Sequence, residues 1–383
     1  MDFDLSWLLL GLPITFVLGW FASRLDLRQL RFENRQAPKA YFRGLNYLLN
    51  EQQDQAIDAF IEAVQNDPDT SELHFALGNL FRRRGEYERA VRVHEHLLSR
   101  GDLSRTDRER AQHALALDFL KAGLLDRAEQ ALQRLENTPF EAEARMALLA
   151  IYERSSDWPQ AAAIADKMDR AAQGDFSIRQ AHYLCEQAAA QVAAGQTDEA
   201  CLLLEKAITT APAAARARIE LAALQQTAGD QAAAFQTLRQ IADAAPAAMP
   251  LAAARLAQTA TASGQVDTAL ALLDHSYDNA PSLDVLEAMV TLQEGSQGVQ
   301  AREAYVRHLE REPSLVAAAK WLAGERLEHE QFHPQVQRAL DHAVKPLTRY
   351  RCAACGFEAK QHFWQCPGCQ TWDSYPARRV EEL

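Results

Sequence analysis

Four cysteines near the C-terminus, Cys352, Cys355, Cys366 and Cys369, are spaced Cys-x2-Cys-x10-Cys-x2-Cys. Two residues between the members of a pair is the spacing at which a tight turn lets two thiolates reach one ion, and four thiolates close a tetrahedral shell. Gly356 after the first pair and Pro367-Gly368 within the second supply the turn residues. A closed shell leaves no position for substrate, so the pattern points to one structural or redox metal ion and not to hydrolysis. Zinc and a single iron both suit four sulfur ligands, and spacing does not separate them. Tyr350, Phe357, Phe363, Trp364 and Trp372 surround the cysteines. They give a small domain, taken as residues 346–383, a core to which the metal contributes much of the folding energy. A thioredoxin-like reading needs a single pair in a βαβ setting, which is absent here. The other two of the six cysteines, Cys185 and Cys201, lie in Ala-rich helical sequence and read as core thiols.

One other run has the types and spacing of a metal site. His329-Glu330-Gln331-Phe332-His333 matches the zinc-protease pattern, whose chemistry requires both histidines on one helical face. Pro334 biases His333 out of the α region, so the second ligand would stand at a broken helix end. The chain has no phosphate loop, dinucleotide fingerprint or nucleophile elbow, and it is read as a non-enzyme.

The sequence that must position the cysteine domain is helical. It is 48% hydrophobic but only 8% aromatic, with runs such as Ala213-Ala214-Ala215, a composition suited to closely packed helices. A frame of small residue, apolar residue, turn, Ala, aromatic or Leu, and closing Pro recurs about every thirty-four residues, the signature of stacked helix-turn-helix units. The first copy has Gly44, Ala56, Phe60, Ala63 and Pro68, and the second Gly78, Phe81, Gly85, Ala90 and Leu97. About eight copies cover residues 37–345, ending with Ala301, Tyr305 and Pro313. Small residues let paired helices approach, and stacking buries the apolar faces. The expected architecture is all-α, a right-handed tetratricopeptide-type solenoid. Such arrays offer a long face to other proteins. Tyr41, Phe75, Asn79, Arg82 and Arg83 are the candidate groove residues, the last three as a clamp for an acidic segment. Trp372 is a candidate partner contact on the cysteine domain.

Residues 5–22, LSWLLLGLPITFVLGWFA, carry no charge and are just long enough to span a bilayer, with Trp7 and Trp20 near the ends. Asp2 and Asp4 replace the positive flank of a cleaved signal, so residues 1–23 read as a retained transmembrane anchor. Arg24, Arg28, Arg31 and Arg35 follow in a basic linker, 24–36, which places the N-terminus outside and the bulk of the chain in the cytoplasm. The net charge of −12 excludes a nucleic-acid partner for the bulk of the chain. About fifteen residues separate the anchor from the repeats, so the array works within roughly 50 Å of the membrane.

Anchor, basic linker, repeats and terminal knuckle in this order resemble the lipopolysaccharide assembly protein B family of Gram-negative inner membranes. The most specific stretches are ALGNLFRRRGE (residues 76–86) and YRCAACGF…WQCPGCQTW (350–372). The resemblance covers the whole chain and maps the family's metal-binding cysteines onto Cys352, Cys355, Cys366 and Cys369. It implies a rubredoxin-like domain holding iron, with zinc the alternative, because the gap between pairs is shorter than in rubredoxins and Gln370 stands where a Gly is usual. It also implies an inner-membrane adaptor that promotes degradation of the LpxC deacetylase by the FtsH protease and gathers other lipopolysaccharide-synthesis or transport proteins. A homodimer stays open, and electron transfer by a four-cysteine iron is the alternative function. The knuckle is expected either to pack back on the last repeats or to present Trp372 to a partner.

Overall fold

The computed structural model describes residues 15–20, 39–294, 298–323 and 330–383. Among these no helix is long and apolar enough to cross a membrane. The expected span lies outside the described residues except for 15–20, which are helical with Phe16, Val17, Leu18 and Trp20 exposed; the basic linker lies outside them altogether. The described chain is all-α apart from a two-stranded ribbon in the C-terminal knuckle. It divides into two compact units at Ser155/Ser156, inside the fourth expected repeat.

The first unit holds α1 (39–49), α2 (Gln53–Asn66), α3 (Ser71–Arg84), α4 (Tyr87–Ser99), α5 (Arg105–Ala122), α6 (Leu125–Gln133) and α7 (Glu141–Ser155). The repeat residues form its core: Ala56, Phe60, Ala63, Leu77, Phe81 and Ala90 are all buried together. Helix ends follow local chemistry. Ser104 accepts the Asp107 N–H at the start of α5. Gly85 closes α3 in the left-handed region at φ 84°, where a side chain would be strained, and the Glu86 N–H reaches back to the Phe81 carbonyl at 2.9 Å.

The close approach that the frame demands is measurable. A Cβ on Gly44 would stand 2.8 Å from the Phe60 ring, and one on Gly78 would stand 2.5 Å from the His94 ring. His94 therefore occupies in the second hairpin the slot that Phe60 fills in the first, yet it is polar and fully buried. Its Nδ1 lies 2.5 Å from Asp118, whose other oxygen accepts Arg82 at 2.8 Å. Gly78→Ala forces this ring aside. We expect it to cost about 2–3 kcal/mol, against less than about 0.5 kcal/mol for Gly101→Ala in open space, both read from urea unfolding.

The second unit holds α8 (Trp158–Arg170), α9 (Ser177–Ala193), α10 (Thr197–Thr210), α11 (Ala215–Thr227), α12 (Gln231–Arg239), α13 (Ile241–Ala244), α14 (Met249–Ser263), α15 (Val266–Asn279), α16 (Leu283–Glu294), α17 (Gly298–Arg311), α18 (Leu315–Ala323) and α19 (His333–Val344). One apolar cluster runs from Ala215 to Ala304, and another joins α9, α10 and α11 through Ala181, Leu204 and Leu221. Antiparallel β1 (Tyr350–Arg351) and β2 (Glu358–Ala359) open the knuckle. His333 begins α19 and hydrogen-bonds to the Leu322 carbonyl at 3.1 Å, while His329 lies outside the described residues.

Candidate metal centre

The four cysteine sulfurs lie within 4.8 Å of one another. Cys352 and Cys369 are 3.8 Å apart, and Cys355 and Cys366 3.7 Å. A tetrahedron with metal–sulfur bonds of about 2.3 Å has edges of about 3.8 Å. The residues fit one tetrahedral ion.

Each cysteine pair closes the same way. The Gly356 N–H donates to the Cys352 carbonyl at 2.9 Å, and the Gln370 N–H to the Cys366 carbonyl at 2.8 Å. The residue after each pair is left-handed, Gly356 at φ 78° and Gln370 at φ 60°. Pro367 and Gly368 lie in the second turn, over 367–369, but its left-handed position falls on Gln370; Gly368 has no positive φ and makes room beside Phe357 and Cys355. A glutamine pays a conformational penalty at such a position that glycine avoids. Gln370→Gly should stabilise the loaded knuckle by about 0.5–1 kcal/mol and Gly356→Ala should weaken it by at least that much. Competition with a chelator reads both signs.

The thiols are electrostatically divided. Burial pushes Cys352 up, but hydrogen bonds with Ser374 and with the Cys355 and Ala354 N–H groups outweigh it and bring the pKa down to about 6. The Thr371 hydroxyl and N–H hold Cys369 below the ordinary thiol range. At Cys355 the Phe357 N–H pulls down, while desolvation and the Cys369, Cys352 and Cys366 thiols push the pKa up to about 12. Four adjacent thiolates repel one another, and a bound cation removes that conflict.

The knuckle is fastened to the second unit at several points. Trp372 stacks on His182 of α9 with centroids 4.7 Å apart, and packs edge-on against Trp158 and Tyr183. Asp373 takes the His182 Nε2 at 2.9 Å. Leu251 of α14 packs under Tyr350, Cys352, Cys366 and Tyr375. Arg379 makes a bidentate pair with Asp284 of α16 at 2.7 and 2.9 Å and lies 4.2 Å over the Tyr350 ring. The last residues cap two helices: Glu381 accepts the Leu315 N–H at 2.6 Å and the Ser314 hydroxyl at 2.7 Å, and Glu382 accepts the Leu283 N–H at 2.6 Å.

These positions revise the candidate partner contacts. Trp372 is turned inward on α9, and Phe75 is a core residue at 1% exposure. Arg82 donates to both Asn79 and Asp118, which leaves Arg83 exposed and Tyr41 half-buried. Of the six, only Arg83 presents an exposed side chain. His182, Asp284, Arg379, Glu381 and Glu382 carry the knuckle's attachment and were not legible as site residues. The one local signal was the repeated Pro-Ser-Leu at 281–283 and 313–315, where Ser precedes an apolar helix start.

A tetratricopeptide array bearing a four-cysteine knuckle defines the class. Residues 73–109 and 113–176 match tetratricopeptide repeat models, and residues 350–375 match a rubredoxin metal binding domain. The chain is similar along almost its whole length to proteins named lipopolysaccharide assembly protein B. It is 29% identical to the Escherichia coli (strain K12) protein over 388 residues, covering 99% of this chain and 100% of that one. The Haemophilus influenzae protein is 27% identical over 400 residues, with 96% of each chain covered. The family resemblance read from the sequence is borne out along the whole chain. A solved tetratricopeptide repeat protein from Parabacteroides merdae aligns at 16% identity and a TM-score of 0.33, covering 67% of this chain and 98% of that one.

Proposed function

We propose that this protein is a non-enzymatic adaptor in lipopolysaccharide assembly, held at the inner membrane by residues 5–22 with the N-terminus periplasmic and the bulk cytoplasmic. The similarity to lipopolysaccharide assembly protein B along 99% of the chain carries this reading. Helix pairs support it, since they offer surfaces to other proteins, and a shell of four thiolates leaves no open position for substrate on its ion. The finer reading is that it promotes FtsH-dependent degradation of the LpxC deacetylase and gathers other lipopolysaccharide-synthesis or transport proteins. The short linker supports it, because about fifteen residues keep the array where a membrane protease works. The test is the LpxC half-life after depletion of this protein, with complementation by the full chain or by a chain lacking residues 1–22. A longer half-life restored only by the anchored chain supports the adaptor. An unchanged half-life ends the LpxC reading.

For the knuckle we propose iron, with zinc as the alternative. The exposure of Cys355 and Cys369 favours a second functional reading, electron transfer through that iron. Elemental analysis and a reversible thiolate-to-iron absorbance decide it: a zinc-loaded, fully active protein removes electron transfer.

A further inference from the structure

The knuckle lies along the leading helices of four hairpins, touching α9 through His182 and Tyr183, α14 through Leu251, α16 through Asp284, and the start of α18. That face of residues 156–383 is where a repeat array meets a partner, and it already has an occupant. The occupant has little structure of its own: two strands of two residues, one isolated bridge between Gln365 and Trp372, and a core of Tyr350, Cys352, Cys366 and Tyr375. A unit this small depends on its metal to fold. Trp372 and Asp373, which stack on and hydrogen-bond to His182, stand three and four positions after Cys369. They are fixed by a bond that closes around the second cysteine pair, Asp373 N–H to the Trp364 carbonyl at 2.8 Å, and by one that crosses to the first, Ala353 N–H to the Ser374 carbonyl at 2.7 Å. The terminal strap is coupled as well, because the Val380 N–H donates to the Arg349 carbonyl at 2.8 Å, just ahead of β1.

We propose that the four-cysteine site gates this face. With the metal bound, the knuckle covers the leading helices of residues 156–383 as an intramolecular ligand. Metal loss unfolds the knuckle, frees the Glu381 and Glu382 caps and uncovers an aromatic surface made of Trp158, His182 and Tyr183. The state of the metal then decides whether this face is covered by the knuckle or open to solvent. The inference does not depend on which client the protein serves.

Hydroxyl-radical footprinting of the purified full-length protein tests it, before and after metal withdrawal by a chelator under reducing conditions. Trp158 and Tyr183 should gain reactivity several-fold on withdrawal, and amide exchange at Leu283 and Leu315 should quicken, while Phe75 and Phe81 in the other unit stay protected. Reactivity that rises only within residues 350–375, with Trp158 and Tyr183 still shielded, overturns the proposal. Trp372→Ala separates docking from folding: it should keep its metal and still expose Trp158 and Tyr183. A metal-loaded Trp372→Ala protein with the wild-type footprint also overturns it.

Discussion

Cys366→Ser is expected to lose the metal and unfold the C-terminal knuckle while residues 39–155 remain folded. Cys366 is fully buried, and its sulfur is one of four in a shell whose edges already match a bound ion. Structural zinc sites in small peptides bind with about 10–16 kcal/mol at neutral pH, and that binding energy is their folding energy. Serine supplies a weak oxygen ligand in place of a thiolate, so most of this stabilisation disappears. The damage extends past the knuckle. Asp284 loses the bidentate Arg379, and α16 and α18 lose the carboxylates at their N-termini, each worth about 0.5–2 kcal/mol. Metal analysis should fall from one ion per chain to near none, and proteolysis should clip the chain between residues 346 and 383. Cys201→Ser, outside the cluster, is the control. A Cys366→Ser protein that retains stoichiometric metal and resists cleavage would show that three thiolates suffice.

The ligands were legible because metal knuckles are local: two cysteines three positions apart and the residue after them decide the turn. Even there the sequence left one position unread. Pro367-Gly368 do lie in the turn, over 367–369, but the left-handed residue is Gln370, since the hydrogen bond closing the pair falls one residue beyond the second cysteine. The repeats were legible for the same kind of reason, in that Gly44, Ala56 and Phe60 meet within a single hairpin. That the knuckle packs back on the last repeats was one of two expectations, and the structure bears it out; the side chains that attach it were not legible. His182 and Asp373 are 191 positions apart, and nothing periodic links a histidine in α9 with an aspartate after the last cysteine. Trp372 was correctly singled out as an unusual side chain and given the wrong direction, because the sequence supplies no sign of which surface an aromatic faces. The same limit affected Arg82 and Asn79, read as a clamp for an acidic segment. The acidic group that Arg82 holds is Asp118, 36 residues away in the same unit.

That pairing makes Asp118 the most sensitive position of the first unit. Its side chain is fully buried between Arg82, which also reaches the Ala114 carbonyl at 3.1 Å, and His94, whose Nε2 has no partner among the described residues. Asp118→Ala leaves the imidazole with neither nitrogen bonded and the guanidinium without its counter-charge. Breaking a buried pair from one side costs about 3–5 kcal/mol, a large part of the roughly 5–15 kcal/mol that holds a domain together. Asp118→Asn keeps the shape and one acceptor and should cost about 1–3 kcal/mol. The physical cause is uncompensated polarity and not lost volume, which yields a sharper test. Combining Asp118→Ala with His94→Phe and Arg82→Met removes the three charged or titratable members and leaves only the half-buried Asn79, and Phe60 shows that an aromatic ring fits this slot beside a glycine. The triple variant should therefore recover much of the stability that Asp118→Ala loses, as apolar replacements of buried ion pairs do. Urea unfolding of the three variants settles the matter. A triple variant no more stable than Asp118→Ala alone would mean that the network contributes packing that apolar side chains do not reproduce.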